Sequence, residues 1–219
     1  MHRDGVEIED TFAEAFEMWA ARIVITAEHR RWALTAAAAA TGFATSIIGC
    51  GCEAGINELA ADETTLDGRP GVAALFFAVS RKDMESQLLR RVGQTVMTAT
   101  GTACYDGLDA DERITIGGKL RYFGDGFQGS KLLDGRRLWR VPVMDGEFVI
   151  EESFGVAKGV GGGNFFIMAA DYEAALGAAE AAVGAMRDVP GVIMPFPGGI
   201  VRSGSKVSSR YKGQQVSSN

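Results

Sequence analysis

The feature that most restricts the fold is a strand–helix–strand order that occurs twice within the first 110 residues. "RIVITA" (22–27) is rich in β-branched residues and predicts a strand. "EHRRWALTAAAAATGFA" (28–44) predicts an Ala-rich helix stopped near Gly42, and "TSIIG" (45–49) predicts the next strand. The same order returns with "GVAALFFAV" (71–79) as a buried strand, "RKDMESQLLRRVGQTVMTA" (81–99) as a helix and "GTACYDGL" (101–108) closing the unit. In that helix Met84, Leu88, Val92 and Val96 fall four apart and share one face. Two tandem βαβ units predict a ferredoxin-like split βαβ sandwich, with helices on one face of an antiparallel sheet.

Residues 114–154 change character. "ITIGGKLRYFGDGF" and "RRLWRVPVMDGEFVI" alternate apolar and polar residues with Gly and Asp at the breaks, which predicts hairpins that extend the first sheet or bridge to a second lobe. After "GVAKGVGGG" a third βαβ unit is predicted: strand "NFFIMAA" (164–170), helix 171–188 capped by Asp171, and strand "GVIMPF" (191–196). The expected class is α+β with two ferredoxin-like lobes. The first, with its hairpin extension, is expected at 1–145, and a partial second lobe at 146–219. One helix on two strands leaves most of its apolar face wet, so the second lobe is incomplete here and the chain is expected to be a fragment of a longer protein.

Bulk properties narrow the class. A chain of 219 residues that is 47% hydrophobic has material for a sizeable core. It contains no run of about eighteen apolar residues, which argues against a membrane span. The start "MHRDGVEIED" is too polar for a secretory signal, and an odd set of three cysteines points to reduced thiols in a cytoplasm. A net charge of −6 argues against nucleic acid as the main partner. No acidic residue follows Asp188, whereas Arg202, Lys206, Arg210 and Lys212 do, so a basic segment sits on an acidic body. Such a segment could meet an anionic small molecule or an acidic neighbouring subunit, or could simply be solvated.

The glycine-rich stretches fail as nucleotide motifs. In "PFPGGIVRSGSK" (195–206) Gly199 and Gly204 bracket four residues, but Ser205 precedes Lys206, and no helix-forming segment follows to supply N–H donors to a phosphate. "GVGGGN" (159–164) has Asn164 where a dinucleotide fingerprint needs its last glycine, and the stretch after it reads as a strand rather than a helix. Gly161, Gly162 and Gly163 then either serve close backbone packing or present bare N–H groups to a ligand, with Asn164 as a further donor.

Other candidates are weaker. "CGC" (50–52) lacks a second CxxC or a histidine set, so no metal site is expected. His2 and His29, the only histidines, make a histidine base improbable. "EES" (151–153) pairs Glu151 with Glu152, and alternation along a strand would let at most one face a given cleft. Asp67 and Arg69 in "TTLDGRPG" (64–71) either pin a turn or anchor a ligand.

The chain also resembles the formylmethanofuran–tetrahydromethanopterin formyltransferase family of one-carbon metabolism. The resemblance runs along nearly the whole chain, through "GVEIEDTFAEAF" (5–16), "RWALTAAAAATGFATS" (31–46), "DGRPG" (67–71), "GGNFFI" (162–167) and "PFPGGIVRSGSK" (195–206). It implies transfer of a formyl group from the amine of methanofuran to N5 of tetrahydromethanopterin without metal or prosthetic group. It also implies homo-oligomers, commonly tetramers, or a complex with hydrolase subunits. Family members run on by a further βαβ unit, where a glutamate favoured for proton handling lies, and this sequence stops before it.

Acyl transfer between amines passes through a tetrahedral intermediate, which needs proton transfer and oxyanion donors. On the resemblance, Asn164 and the N–H groups of Gly161–Gly163 are expected donors to oxyanion or substrate, and Glu152 a secondary acid/base. Arg202, Ser203 and Lys206 are expected to hold polar or anionic parts of the substrates. Two rival expectations are a non-catalytic subunit that lends a surface to a complex, and a ferredoxin-like small-molecule sensor.

Overall fold

Two short strands, β1 (His2–Arg3) and β2 (Val6–Glu7), pair as an N-terminal hairpin, and β3 (Phe16–Thr26) then runs through the centre of the main sheet. The computed structural model describes residues 1–9, 15–59, 63–202 and 210–213. Helix α1 (Arg30–Thr41) buries Ala33, Ala36, Ala37 and Ala40, a small-residue stripe that lets it sit close on the sheet. It stops at Gly42, as the sequence predicts. Gly42 itself is extended, however, and the left-handed residue is Phe43, at φ 47°.

The strand expected at 45–49 is instead a short helix, α2 (Ile47–Cys50). The Ser46 hydroxyl accepts a hydrogen bond from the Ile48 N–H at 3.3 Å, and Gly51 at φ 77° closes the turn. Capping at both ends thus overrides the β-branched character of the isoleucines. The strand comes later, as β4 (Glu53–Asn57).

β5 (Gly71–Ala78), α3 (Arg81–Arg91) and β6 (Ala103–Asp106) complete the second βαβ unit. α3 runs on into a π-helical turn over Val92–Val96, and Met84, Leu88, Val92 and Val96 are all fully buried, as their spacing predicts. Strands β4, β5, β3 and β6 lie in that order with antiparallel pairing throughout, the ferredoxin-like arrangement.

The segment read as a first hairpin is mostly helical. β7 (Arg113–Thr115) is followed by α4 (Gly117–Leu120) and a 3-10 turn over Arg121–Gly124. Ile116 and Leu120, four apart, are both buried, so helical spacing decides the local structure. β8 (Gly129–Leu133), β9 (Arg136–Val143) and β10 (Gly146–Glu151) form the expected extension of the first sheet. An Asp134–Gly135 turn with positive φ at both residues joins β8 to β9. β10 docks parallel on β6, among the described residues the one parallel seam in a sheet ordered β4-β5-β3-β6-β10-β9-β8.

β11 (Ser153–Gly155) pairs with β7. β12 (Ala157–Gly161) pairs antiparallel with Phe16–Ala20 of β3, so half of the expected glycine loop is a strand. The first sheet therefore takes strands from both sides of position 145. In the second lobe, α5 (Tyr172–Arg187) forms as predicted, with Asp171 accepting from the Ala174 N–H at 2.8 Å. The strands expected at 164–170 and 191–196 do not form. Among the described residues no strand lies beside either, and a strand cannot satisfy its ladder groups alone. Phe165, Phe166 and Met168 are exposed as a result. No helix among the described residues is long and apolar enough to cross a membrane.

Candidate functional site

Alternation along the central strands sends Ile23, Ile25 and Cys104 to the helices and Val24 and Tyr105 to the opposite face. On that opposite face lies a cleft of about 1090 Å³, with Val24 and Tyr105 in its floor. Its walls come from residues 63–66, the loop after β6, the Asp134–Gly135 turn and the bend between β10 and β11.

Charge is concentrated where β6 and β10 end side by side. The Glu151 carboxylate, buried at the end of β10, accepts from the Asp106 backbone N–H at 2.9 Å and from Arg136 Nε at 2.8 Å. Arg113 donates to Asp106 Oδ2 at 2.6 Å, to the Ser153 hydroxyl at 2.9 Å and to the Ser153 carbonyl at 2.7 Å. Burial raises the Asp106 carboxyl above the ordinary carboxylate range, although Leu108 N–H and Arg113 oppose it. The hydrogen bond to Glu151 raises the already high pKa of Arg136 further. This quartet sets two buried carboxylates against two partly exposed guanidinium groups, a charge-balanced and hydrogen-bonded cluster of the kind that holds a wall rigid.

Glu152 follows at the bend. Its N–H donates to the Arg137 carbonyl at 2.9 Å, and its carbonyl accepts from the N–H groups of Ile116 and Gly118 at 3.1 Å each. Its carboxylate lies 3.5 Å from Arg137 Nε and is 39% exposed, enough to meet a ligand in the cleft. Because β10 stops at Glu151 and the chain bends before β11, both glutamates border the same cleft, where strand alternation alone would have separated them.

Next to the cleft, Asp67 receives hydrogen bonds from Thr26 Oγ1 at 2.7 Å, Arg69 Nε at 2.8 Å and Tyr105 Oη at 3.1 Å. Burial pushes its pKa up, but the bonds from Thr26 and Arg69 outweigh burial and leave it below the usual value. Asp67 and Arg69 thus pin the 64–71 turn against the sheet.

The remaining candidates among the described residues do not line this cleft. Gly161 pairs with Phe16 at the start of β3, eight residues from Val24 in the cleft floor, which is about 26 Å along a strand. A Cβ on Gly161 would overlap the Met18 sulfur, and one on Gly162, at φ 80°, would press on the Phe16 ring, so both are explained by close packing. Gly163 has open space around its Cα, and Asn164 is exposed. Arg202 is exposed, while Ser203 and Lys206 lie outside the described residues. Among the described residues, therefore, the sequence candidates do not all line one cleft. The pair Asp106–Arg113 and the partner Arg136 were missed, because their signal is the side-by-side end of two strands distant in sequence.

The arrangement matches known proteins closely. A family model described as formylmethanofuran-tetrahydromethanopterin formyltransferase matches residues 1–143, and one for the proximal lobe of the same family matches residues 146–219. The chain belongs to this formyltransferase family. It is 56% identical over 216 residues to the formylmethanofuran–tetrahydromethanopterin formyltransferase of Methylococcus capsulatus, covering 99% of this chain and 72% of that protein. It is 51% identical to a subunit of the formyltransferase/hydrolase complex of Methylorubrum extorquens, covering 99% of this chain and 71% of that protein.

Among solved structures, the formyltransferase/hydrolase complex from Methylorubrum extorquens bound to methylofuran contains a chain that superposes with a TM-score of 0.93 at 50% identity. The match covers all of this chain and 73% of that one. The Methanosarcina barkeri formyltransferase superposes with a TM-score of 0.89 at 48% identity, covering all of this chain and 74% of that one. The formyltransferase fold, α+β with two lobes, is thus the fold of this chain.

Proposed function

We propose that this formyltransferase-family chain moves a formyl group from the amine of methanofuran to N5 of tetrahydromethanopterin by direct acyl transfer. The carrying observation is the near-complete match, at about half identity or better, to relatives named for that reaction in both methanogens and methylotrophs. The pterin nitrogen attacks the formyl carbon and loses a proton. The tetrahedral intermediate then collapses as the C–N bond to the methanofuran amine breaks and that amine gains a proton.

Of the sequence candidates described, Glu152 borders the cleft with a partly exposed carboxylate, so the reading assigns it the proton transfer. Its bend, clamped from both sides by backbone hydrogen bonds, would keep the carboxylate positioned as an acid/base requires. The reading assigns Asn164 and the N–H groups of Gly161–Gly163 as donors to oxyanion or substrate, and Arg202, Ser203 and Lys206 to holding polar or anionic parts of the substrates. The reading further places the protein in the cytoplasm as a homo-oligomer, with four copies expected.

The test is Glu152→Gln in a formyl-transfer assay with both carriers. A fall of about 10²-fold or more in kcat/KM supports the assignment, and an unchanged value removes Glu152 from the chemistry. The name of the Methylorubrum relative, as a member of a formyltransferase/hydrolase complex, favours a second reading, a chain working beside hydrolase chains. Pull-down of such chains, with no turnover by the isolated protein, would favour it.

A further inference from the structure

Cys50 and Cys52 flank Gly51 on the helical side of the sheet, away from the cleft. Gly51 has φ 77° and ψ −8°. A residue in that compact conformation keeps the Cα atoms on either side about 5.5 Å apart, within the span of a disulfide, whereas an extended residue would hold them about 7 Å apart, beyond it. A Cβ at position 51 would also overlap the Gln87 side-chain amide, so only glycine closes this turn without strain.

The two thiols have opposite surroundings. Cys50 is half-buried, with its Sγ 3.7 Å from Thr45 Oγ1. A backbone hydrogen bond at Ser46, with help from Thr45 and the Arg91 charge, outweighs burial and holds this thiol below its ordinary range. Cys52 is fully buried and donates to Gln87 Oε1 at 3.5 Å, and burial raises it. An attacking thiol and a resolving thiol differ in this way.

We propose that Cys50 and Cys52 form a dithiol–disulfide modification site whose oxidant is a low-molecular-weight disulfide. The Cys50 thiolate attacks one sulfur of that disulfide, a protein–small-thiol S–S bond forms, and one small thiolate leaves. Cys52 then gives up its proton and attacks the Cys50 sulfur, which expels the second small thiol. The protein loses two protons and two electrons, which the small disulfide takes up as it is reduced to two thiols.

Closing the bond takes Cys52 from Gln87, whose amide oxygen also accepts from Arg91 Nε at 3.1 Å. Arg91 in turn donates to the carbonyls of Ala40 at 2.7 Å and Gly42 at 2.8 Å, tying down the end of α1. Oxidation therefore acts on the junction of α1 and α3.

The experiment treats the purified native protein with oxidised glutathione, then unfolds it, alkylates the free thiols and maps the peptides by mass. The expected wild-type product has lost two hydrogens, retains no glutathione and is alkylated at Cys104 only. Cys52→Ala is expected to retain one glutathione on Cys50. Wild type that keeps glutathione on Cys50 with Cys52 alkylated, or that is alkylated at both, would overturn the proposal. The wild-type mass alone decides should the variant fail to fold.

Discussion

The carboxylate of Glu151 accepts the backbone N–H of Asp106, so the side chain that ends β10 closes the free end of the neighbouring strand β6. The same carboxylate is 4% exposed and is held by Arg136, which is 35% exposed. Removing the arginine leaves a buried charge without its main partner. For Arg136→Met the expected loss is about 2–3 kcal/mol, below the usual range for a fully buried pair because the arginine is partly solvated. Urea unfolding would measure it, and a loss under about 0.5 kcal/mol, the size of a surface change, would show that solvent takes the place of Arg136.

Asp67 gives a pH dependence with a definite sign. Its folded-state pKa lies below the unfolded value, so its contribution is present above the unfolded pKa of about 3.9 and is lost as pH falls through the lower folded value. Wild type is expected to lose stability on acidification in that window. Asp67→Asn should begin less stable at neutral pH and show a flatter acid limb. Parallel limbs in the two proteins would contradict the assignment.

Gly161 and Gly163 separate packing from chemistry in the glycine stretch. Gly161→Ala forces a methyl group into the buried Met18 side chain and should cost about 1–3 kcal/mol. Gly163→Ala has free space and should leave the melting temperature nearly unchanged. If Gly163→Ala nonetheless lowers kcat/KM, the loop approaches a substrate. Equal destabilisation by both substitutions would mean that β12 is not packed as described.

Asn164 can be tested in the same background. Asn164→Ala alters an exposed side chain, so folding stability should stay within about 0.5 kcal/mol of wild type. A role in holding substrate predicts a raised KM with little change in kcat. An unchanged KM would remove the residue from the substrate contacts.

Much of the fold is legible wherever a buried stripe has a clear period. The four-residue spacing from Met84 to Val96 and the β-branched run of "RIVITA" both survive, as a buried helix face and a central strand, because the same core covers them. "TSIIG" misleads because a serine cap and a left-handed glycine outweigh two isoleucines. "NFFIMAA" misleads because strand propensity needs a neighbouring strand, which these described residues lack. The candidate site is less legible. Glu151 and Glu152 are visible as a pair of carboxylates, but Asp106 and Arg136 become neighbours of Glu151 only through a strand seam that no local pattern announces.

That seam joins two parts of the sheet that differ in how far apart their pairings lie along the chain. The turn at Asp134–Gly135 and the one between Val143 and Gly146 close over a few residues, so β8, β9 and β10 can zip on the microsecond scale of hairpins. Joining Ala103 to Val149 requires a far longer stretch of chain to be gathered in. The cleft thus comes into existence only when this long-range pairing seats the three-stranded flap on the ferredoxin-like core.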